Sequence, residues 1–244
     1  MVPPTFAGVT PSLVGHRGAP REAPENTLPA FARALEQGAD AIELDVHATA
    51  DGVVVVHHDA VPRARTPDGK PARAAIASTA LAELRRLTVG TTERIPTLAE
   101  VLDLVGRRAI VYVEIKGQTI EPLVADAVRQ AAAECAVHSF DHGAIDRMRA
   151  IAPEIPRGLL FDAGMAADLG GAARRHGARD LWPHWSLVDD RTMRDARAAG
   201  TRVIAWTVNE GGLATRLAAL GVDALCTDDV PLIRERLAAG RPGQ

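Results

Sequence analysis

Acidic residues stand where a buried strand would ordinarily carry aliphatic ones. Glu43 and Asp45 interrupt the apolar run Ala41–Val46, and Glu114 interrupts a second, Ala109–Ile115. On a strand, residues two apart share a face, so the carboxylates of Glu43 and Asp45 point the same way. Glu114 has a matching place on the next strand. Three carboxylates brought together repel one another and would raise each other's proton affinity. A hard divalent cation relieves that repulsion, and an all-oxygen donor set favours Mg²⁺ or Ca²⁺ over zinc. The plainer alternative makes Glu43 and Asp45 solvated strand-end charges. It does not explain why both break an otherwise apolar run.

Positive charge and proton carriers fall at the same strand ends. Arg17 can grip an anionic oxygen pair, such as phosphate, through two hydrogen bonds, and Lys116 offers a point charge. Both could also balance the carboxylates, and the two roles are compatible. His16, together with His57 or His58, could carry protons, because imidazole titrates near neutrality. A lone histidine is more often structural, but two beside a carboxylate cluster point to acid–base chemistry. His57 and His58 face opposite ways on a strand, so only one of them can enter the site. Trp206 and Asp228 follow at the ends of the last two strands, with Trp206 a candidate substrate contact. His47, His184, Trp182 and Trp185 are weaker candidates that packing or surface exposure would equally explain.

Side chains at strand ends do chemistry only if the strands lie side by side. Eight β-rich runs are Ser12–Gly15, Ala41–Val46, Ala109–Ile115, Cys135–Phe140, Arg157–Phe161, Arg179–Pro183, Arg202–Thr207 and Val222–Cys226. The stretches between them read as helices: Thr27–Gln37, Glu121–Glu134, Asp141–Ile151, Ala166–His176, Asp190–Ala199, Gly211–Leu220 and Val230–Ala239. Apolar strands joined by helices imply a parallel sheet covered by helices, and eight such units imply closure into a (β/α)8 TIM barrel. The chain's 244 residues match the roughly 250 of that fold as a single domain, 1–244. One unit breaks the rhythm. Between strands two and three lies an insertion, 47–108, with a turn at Asp51-Gly52, a strand at Val53–His57, and helical stretches at Thr79–Leu87 and Thr97–Val105. Long βα insertions sit at the catalytic end, so this one is expected to cap the site.

Bulk properties exclude several functions. The net charge of -3 gives no basic bias for nucleic acid or an anionic membrane, so an anionic substrate needs local positive charge. No apolar run approaches the ~20 residues of a membrane span. Met1 to Leu13 lacks the basic and apolar segments of a signal peptide. Cys135 and Cys226 sit in apolar runs, which argues against a disulfide framework or a zinc site and for a reducing, cytoplasmic setting. A monomer or homodimer is expected.

The stretch VGHRGAPREAPENTLPAFARALEQGADAIELDVHATADGVVVVHHDAVPRART resembles the glycerophosphodiester phosphodiesterase family, carrying its HRG, PENT, E-x-D and HD elements in order. The EIK of Glu114 to Lys116, Ser139-Phe140, the WTVN of Trp206 to Asn209 and the TDDVP of Thr227 to Pro231 extend the resemblance over nearly the whole chain. The resemblance implies that His16 and His58 are the catalytic pair, since the family histidine directly precedes an aspartate, here Asp59. It implies that Glu43, Asp45 and Glu114 bind one divalent cation and that Arg17 and Lys116 hold phosphate. Glu25 is expected to brace the site, and Asn26 or Thr27 to cap the first helix. The implied reaction is hydrolysis of a small glycerophosphodiester, such as glycerophosphocholine, to glycerol 3-phosphate and an alcohol. Two other readings compete. A phospholipase D-like lyase acting on lysophospholipids or sphingomyelin would want an apolar lipid-facing surface, whereas 3% of this chain is aromatic. A non-catalytic phosphodiester-binding module would have lost a histidine or an acidic ligand, and all are present.

Overall fold

The computed structural model describes residues 10–165 and 168–239. The chain runs through β1 (Ser12–His16), α1 (Leu28–Glu36), β2 (Ala41–Ala48), β3 (Val54–Val56), α2 (Leu81–Leu84), α3 (Leu98–Val105), β4 (Ile110–Ile115) and α4 (Glu121–Gln130). It continues through β5 (Cys135–Ser139), α5 (His142–Ile151), β6 (Arg157–Phe161), α6 (Leu169–His176), β7 (Asp180–Pro183), α7 (Asp190–Ala198), β8 (Arg202–Ala205), α8 (Gly211–Leu220), β9 (Ala224–Thr227) and α9 (Val230–Ala239). All strands but β3 pair in parallel, in the order β1-β9-β8-β7-β6-β5-β4-β2, and β1 closes the ring on β2. The result is the expected eight-stranded parallel barrel with helices between the strands.

Alternation along each strand sorts the side chains. Outward residues such as Ile42, Leu44, Val111, Val113 and Leu159 pack against the helices in the main core. Inward residues meet inside the ring: Val14, Ala41, Tyr112, Ala136, Leu160, Trp182, Ile204 and Cys226 come one from each barrel strand. Small alanines make room there for the Trp182 indole and the Tyr112 ring, which meet edge to face with centroids 4.9 Å apart. Below this layer, fully buried Asp180 is held by the guanidinium groups of Arg179 and Arg202, and Arg202 also donates to the Tyr112 hydroxyl at 2.8 Å. Both Asp180 oxygens and the Tyr112 hydroxyl thus find partners, as their desolvation requires. Polar residues in the next inward layer upward therefore emerge at the opposite, C-terminal rim.

Between β2 and α3 the chain builds a satellite core of Val55, Ala64, Ile76, Leu84, Val89 and Ile95. β3 pairs antiparallel with β2, with Val46 opposite Val56. The helix expected over Thr79–Leu87 is confined to the single turn of α2, preceded by a 3-10 turn at Ile76–Ser78. α3 belongs to the barrel layer rather than to the insertion: its Leu98, Val101, Leu102 and Val105 join the main core. Thr97 starts it with a capping box, accepting from the Glu100 N–H while the Glu100 carboxylate accepts from the Thr97 N–H. The helix expected over Glu121–Glu134 ends at Gln130, because Ala131 is already extended and leads into β5. The expected start of α6 at Ala166 lies outside the described residues, as does most of the N-terminal stretch. Both cysteines are free and buried, Cys135 on β5 and Cys226 on β9. Among the described residues, no helix is long and apolar enough to cross a membrane.

Candidate active site

Strand parity brings the polar residues to one end of the barrel. His16 pairs in register with Glu43, Asp45 with Glu114, and Glu114 with His138. His16, Arg17, Glu43, His58, Glu114, Lys116, His138 and Trp206 line one cavity of about 310 Å³, with Phe140, Leu160 and Asp162 on the remaining wall. That volume suits a small substrate.

The first loop carries His16-Arg17-Gly18. Arg17 takes a left-handed backbone, φ 53°, which costs a non-glycine residue roughly 1–2 kcal/mol. The turn is anchored from both sides: Arg17 N–H donates to Glu43 Oε2 at 3.2 Å, and Arg17 C=O accepts from Asn26 N–H at 3.0 Å. Gly18 has φ 92°, and a Cβ there would lie 2.6 Å from the Ala30 backbone. The loop can lie this close to α1 only with glycine in that place.

Each catalytic-candidate histidine is oriented by a carboxylate. His16 Nδ1 lies 2.6 Å from Asp228 Oδ1, and His58 Nδ1 lies 2.7 Å from Asp59 Oδ1. Asp228 is itself fixed, since its Oδ2 accepts from Asn209 Nδ2 at 2.7 Å. Burial opposes protonation of His16, yet the Asp228 hydrogen bond and the Glu43 charge raise its proton affinity above the ordinary imidazole value. His57 is not among the residues lining the cavity, although β3 ends at Val56 and strand parity does not reach it. Its Nδ1 accepts from Asp59 N–H at 3.1 Å, which makes it part of the turn that presents His58. His47 supports the same turn by donating from Nε2 to the His58 carbonyl at 3.1 Å. The insertion thus supplies one wall of the cavity through His58.

The acidic residues do not all converge equally. Glu43, Glu114 and His138 each place a ligand atom within 4.8 Å of the others. Asp45, fully buried, lies behind them, 3.1 Å from Arg17 Nε and 3.6 Å from Lys116 Nζ, and accepts from Asn26 Nδ2 at 2.8 Å. Burial disfavours its charge, but Arg17, Lys116 and Asn26 outweigh that and hold its carboxyl below the usual carboxylate range. Glu114 goes the other way. Burial, then the charges of Asp45 and Glu43, push it up to about 7 despite Lys116 Nζ at 3.0 Å. With Glu114 ionised, as a cation beside it would favour, three carboxylates against the charges of Arg17 and Lys116 leave one net negative charge, and a bound phosphodiester would add another. A divalent cation cancels both. Asp45 Oδ1 and both ring nitrogens of His138 are buried without a hydrogen-bond partner among the described residues. The donor set therefore fits a metal ion.

The remaining expectations sort out by contact. Glu25 accepts from Arg17 at 3.0 Å, so it braces Arg17 from outside the cavity. Neither Asn26 nor Thr27 caps α1 with its side chain: Asn26 is engaged by Asp45, and Thr27 Oγ1 donates to the Pro24 carbonyl. Trp206 is pinned by its Nε1–H donating to the Trp182 carbonyl at 2.9 Å, and Phe140 stands edge-on to it at 5.6 Å. Trp182 is a packing residue inside the barrel, and His184 packs edge-on to Trp206 at 5.5 Å. Sequence reasoning passed over His138, met Phe140 only as part of a family element, and gave Asp228 no task. A histidine inside an apolar strand, as deep from its end as Glu114, was the available signal.

Two imidazoles, two cationic side chains and a carboxylate cluster facing one cleft are the groups that phosphoryl-transfer chemistry calls for. The sequence agrees: this chain belongs to the Glycerophosphoryl diester phosphodiesterase family, whose profile matches residues 16–232. The family is metal-dependent. The chain is 33% identical over 233 residues to a glycerophosphodiester phosphodiesterase of Caldanaerobacter subterraneus subsp. tengcongensis, covering 89% of this chain and 93% of the relative. An Oleispira antarctica phosphodiesterase in complex with the product sn-glycerol-3-phosphate superposes with a TM-score of 0.84 at 30% identity, covering 94% of this chain and 97% of that one. A glycerophosphodiester phosphodiesterase of Thermotoga maritima superposes with a TM-score of 0.79 at 27% identity, covering 92% and 97%.

Proposed function

We propose that this chain hydrolyses small glycerophosphodiesters to glycerol 3-phosphate and a free alcohol, using His16 and His58 as the proton-transfer pair. The observation that carries this reading is the pairing of each imidazole with its own carboxylate across one cavity of about 310 Å³. Arg17 and Lys116 bind the phosphoryl oxygens and stabilise charge that grows on them. One histidine takes the proton of the attacking group, either water or the glycerol 2-hydroxyl whose cyclic phosphate water then opens, and the other delivers a proton to the departing alcohol. Asp228 and Asp59 hold the rings in place and favour the Nδ1–H form. That leaves Nε2 to exchange protons, with His58 Nε2 lying 3.2 Å from Lys116 Nζ until substrate draws the ammonium to its phosphoryl oxygens. Glu25 steadies Arg17, and Asn26 steadies Asp45. Trp206 and Phe140 form an apolar wall suited to the carbon skeleton of the substrate.

Glu43 and Glu114, with Asp45 as the third carboxylate, would hold a hard divalent cation, Mg²⁺ or Ca²⁺. When bound, that ion neutralises the phosphoryl group as a Lewis acid. We place the whole of 1–244 in one catalytic unit, the insertion 47–108 contributing the His58 wall, and we place its action in the cytoplasm, where two buried free thiols are at home.

The test is release of glycerol 3-phosphate from a panel of glycerophosphodiesters and from lysophosphatidylcholine, using metal-stripped protein with each ion added back. Turnover of glycerophosphodiesters that vanishes on stripping and returns with Mg²⁺ or Ca²⁺ is expected. Undiminished turnover by exhaustively stripped protein, or turnover of the lysophospholipid alone, would overturn the reading.

A further inference from the structure

His138 lines the cavity but has no task in the reaction just described. It sits on β5, opposite Glu114 in register, and is 1% exposed. Its ring is set edge-on to Trp182 at 4.3 Å and lies parallel to Tyr112 at 6.3 Å. Neither ring nitrogen has a hydrogen-bond partner among the described residues. Nε2 is 3.7 Å from Glu43 Oε1, too far for a hydrogen bond. Imidazole carries one donor and one acceptor, and burying both unmet is costly. A histidine kept in such a place for packing alone would be worse than an apolar ring of similar size. What the surroundings do offer is a carboxylate pair: ligand atoms of Glu43, Glu114 and His138 all lie within 4.8 Å of one another. Ligands about 2.0–2.4 Å from a shared ion are spaced this way.

We propose that His138 is a nitrogen ligand of the divalent cation held by Glu43 and Glu114, giving this site a mixed oxygen and nitrogen donor set. The proposal rests on the metal-dependent reading above and deepens it. Packing against Trp182 and Tyr112 fixes the imidazole plane in advance, so little ordering is needed when the ion arrives. The consequence is selectivity. Ca²⁺ prefers oxygen ligands, whereas imidazole suits the later first-row ions best and is accepted by Mn²⁺ more readily than by Ca²⁺. The nitrogen should therefore favour an ion such as Mn²⁺ over Ca²⁺ more than carboxylates alone would.

The experiment loads stripped protein with Mn²⁺ and reads nitrogen hyperfine coupling by pulsed electron paramagnetic resonance. It is repeated on protein labelled with ¹⁵N-histidine and on His138→Gln. Mn²⁺ and Ca²⁺ affinities are measured alongside by calorimetry. A histidine nitrogen coupling in the unmutated protein, absent in His138→Gln, is expected. So is a Mn²⁺ affinity at least ~10-fold weaker in the variant, the scale on which a site responds to loss of a supporting group, while Ca²⁺ affinity changes by less than ~3-fold. Should His138→Gln fail to fold, His16→Gln and His58→Gln assign the nitrogen by elimination: a coupling that survives both supports His138, and one lost in either overturns it. Mn²⁺ bound without nitrogen coupling, or coupling retained in His138→Gln, overturns the proposal and leaves the carboxylate site standing. Failure of the unmutated protein to bind any divalent ion refutes the metal-dependent reading itself.

Discussion

Replacing Asp228 by asparagine tests the orientation of His16 without changing the shape of the site. Asp228 serves two donors, His16 Nδ1–H at 2.6 Å and Asn209 Nδ2 at 2.7 Å. Asn209 cannot turn to compensate, because its Oδ1 already accepts from the Asp228 N–H at 2.9 Å and from Thr227 Oγ1 at 3.1 Å. An amide at position 228 has one acceptor for two donors. Either its NH₂ faces the Asn209 NH₂, or it flips toward His16 and forces Nδ1 to accept, moving the ring proton to Nε2. In both cases one hydrogen bond to an ionised carboxylate is lost, worth about 1.5–3 kcal/mol. At about 1.4 kcal/mol per tenfold, kcat/KM should fall roughly 10- to 150-fold. With the carboxylate gone, His16 loses the Asp228 share of its raised proton affinity and keeps that of Glu43, so the limb of the pH–rate profile that reports His16 should move to lower pH. The assay is kcat/KM for glycerophosphocholine against pH, with melting temperature as a control. A variant that melts normally and keeps kcat/KM within about twofold of the parent across that range would refute the argument.

Three further outcomes follow from the same geometry. His16→Ala and His58→Ala should each reduce turnover by roughly 10²–10⁴ and leave the circular dichroism spectrum unchanged; near-normal turnover in both would remove them from the chemistry. Gly18→Ala should lower the melting temperature, since it combines φ 92° with a Cβ 2.6 Å from the Ala30 backbone, a cost on the order of 1–3 kcal/mol; an unshifted melting curve counts against the tight packing of the HRG loop on α1. Thr97→Ala should cost about 1 kcal/mol of stability by breaking the α3 capping box. Burial disfavours the Glu100 charge, but the Thr97 N–H, Arg85 and the Thr97 hydroxyl outweigh it and hold the carboxyl below its ordinary value, and Thr97→Ala removes the hydroxyl's share. The Glu100 share of stability is therefore present above the unfolded carboxyl's pKa and is lost as pH falls through the lower folded one. Denaturant titrations at neutral and acid pH should show the parent–variant gap narrowing in acid.

The residues of the site were readable because the chemistry is local in sequence. Glu43 and Asp45 share a face through the two-residue period of a strand, whatever that strand pairs with. The same parity argument allowed only one of His57 and His58 into the site; β3 stops at Val56, and the turn after it puts His58 on the cavity wall. Alternation of apolar strands with helices carried the barrel, and the barrel carried the choice of rim. Helix ends were less legible. The expected helix over Thr79–Leu87 shrank to one turn because that segment packs into the satellite core around Ile76 and Leu84 rather than against the barrel. α3, read as part of the cap, packs in the barrel layer, because its apolar face meets the main core.

What only the tertiary structure decided is who meets whom across the ring. His16 and Asp228 are 212 positions apart and touch because β1 pairs with β9 when the barrel closes. His138 reaches the carboxylates because β5 sits beside β4 with His138 opposite Glu114, a register that neither strand encodes alone. The division of labour among the three acids also belongs to the folded state. Arg17 and Lys116 draw Asp45 to the back, while Glu43 and Glu114 face the cavity. Periodicity fixes the face on which a side chain emerges, since that depends only on its own strand. Partners depend on closure and register, which are set by packing over the whole chain.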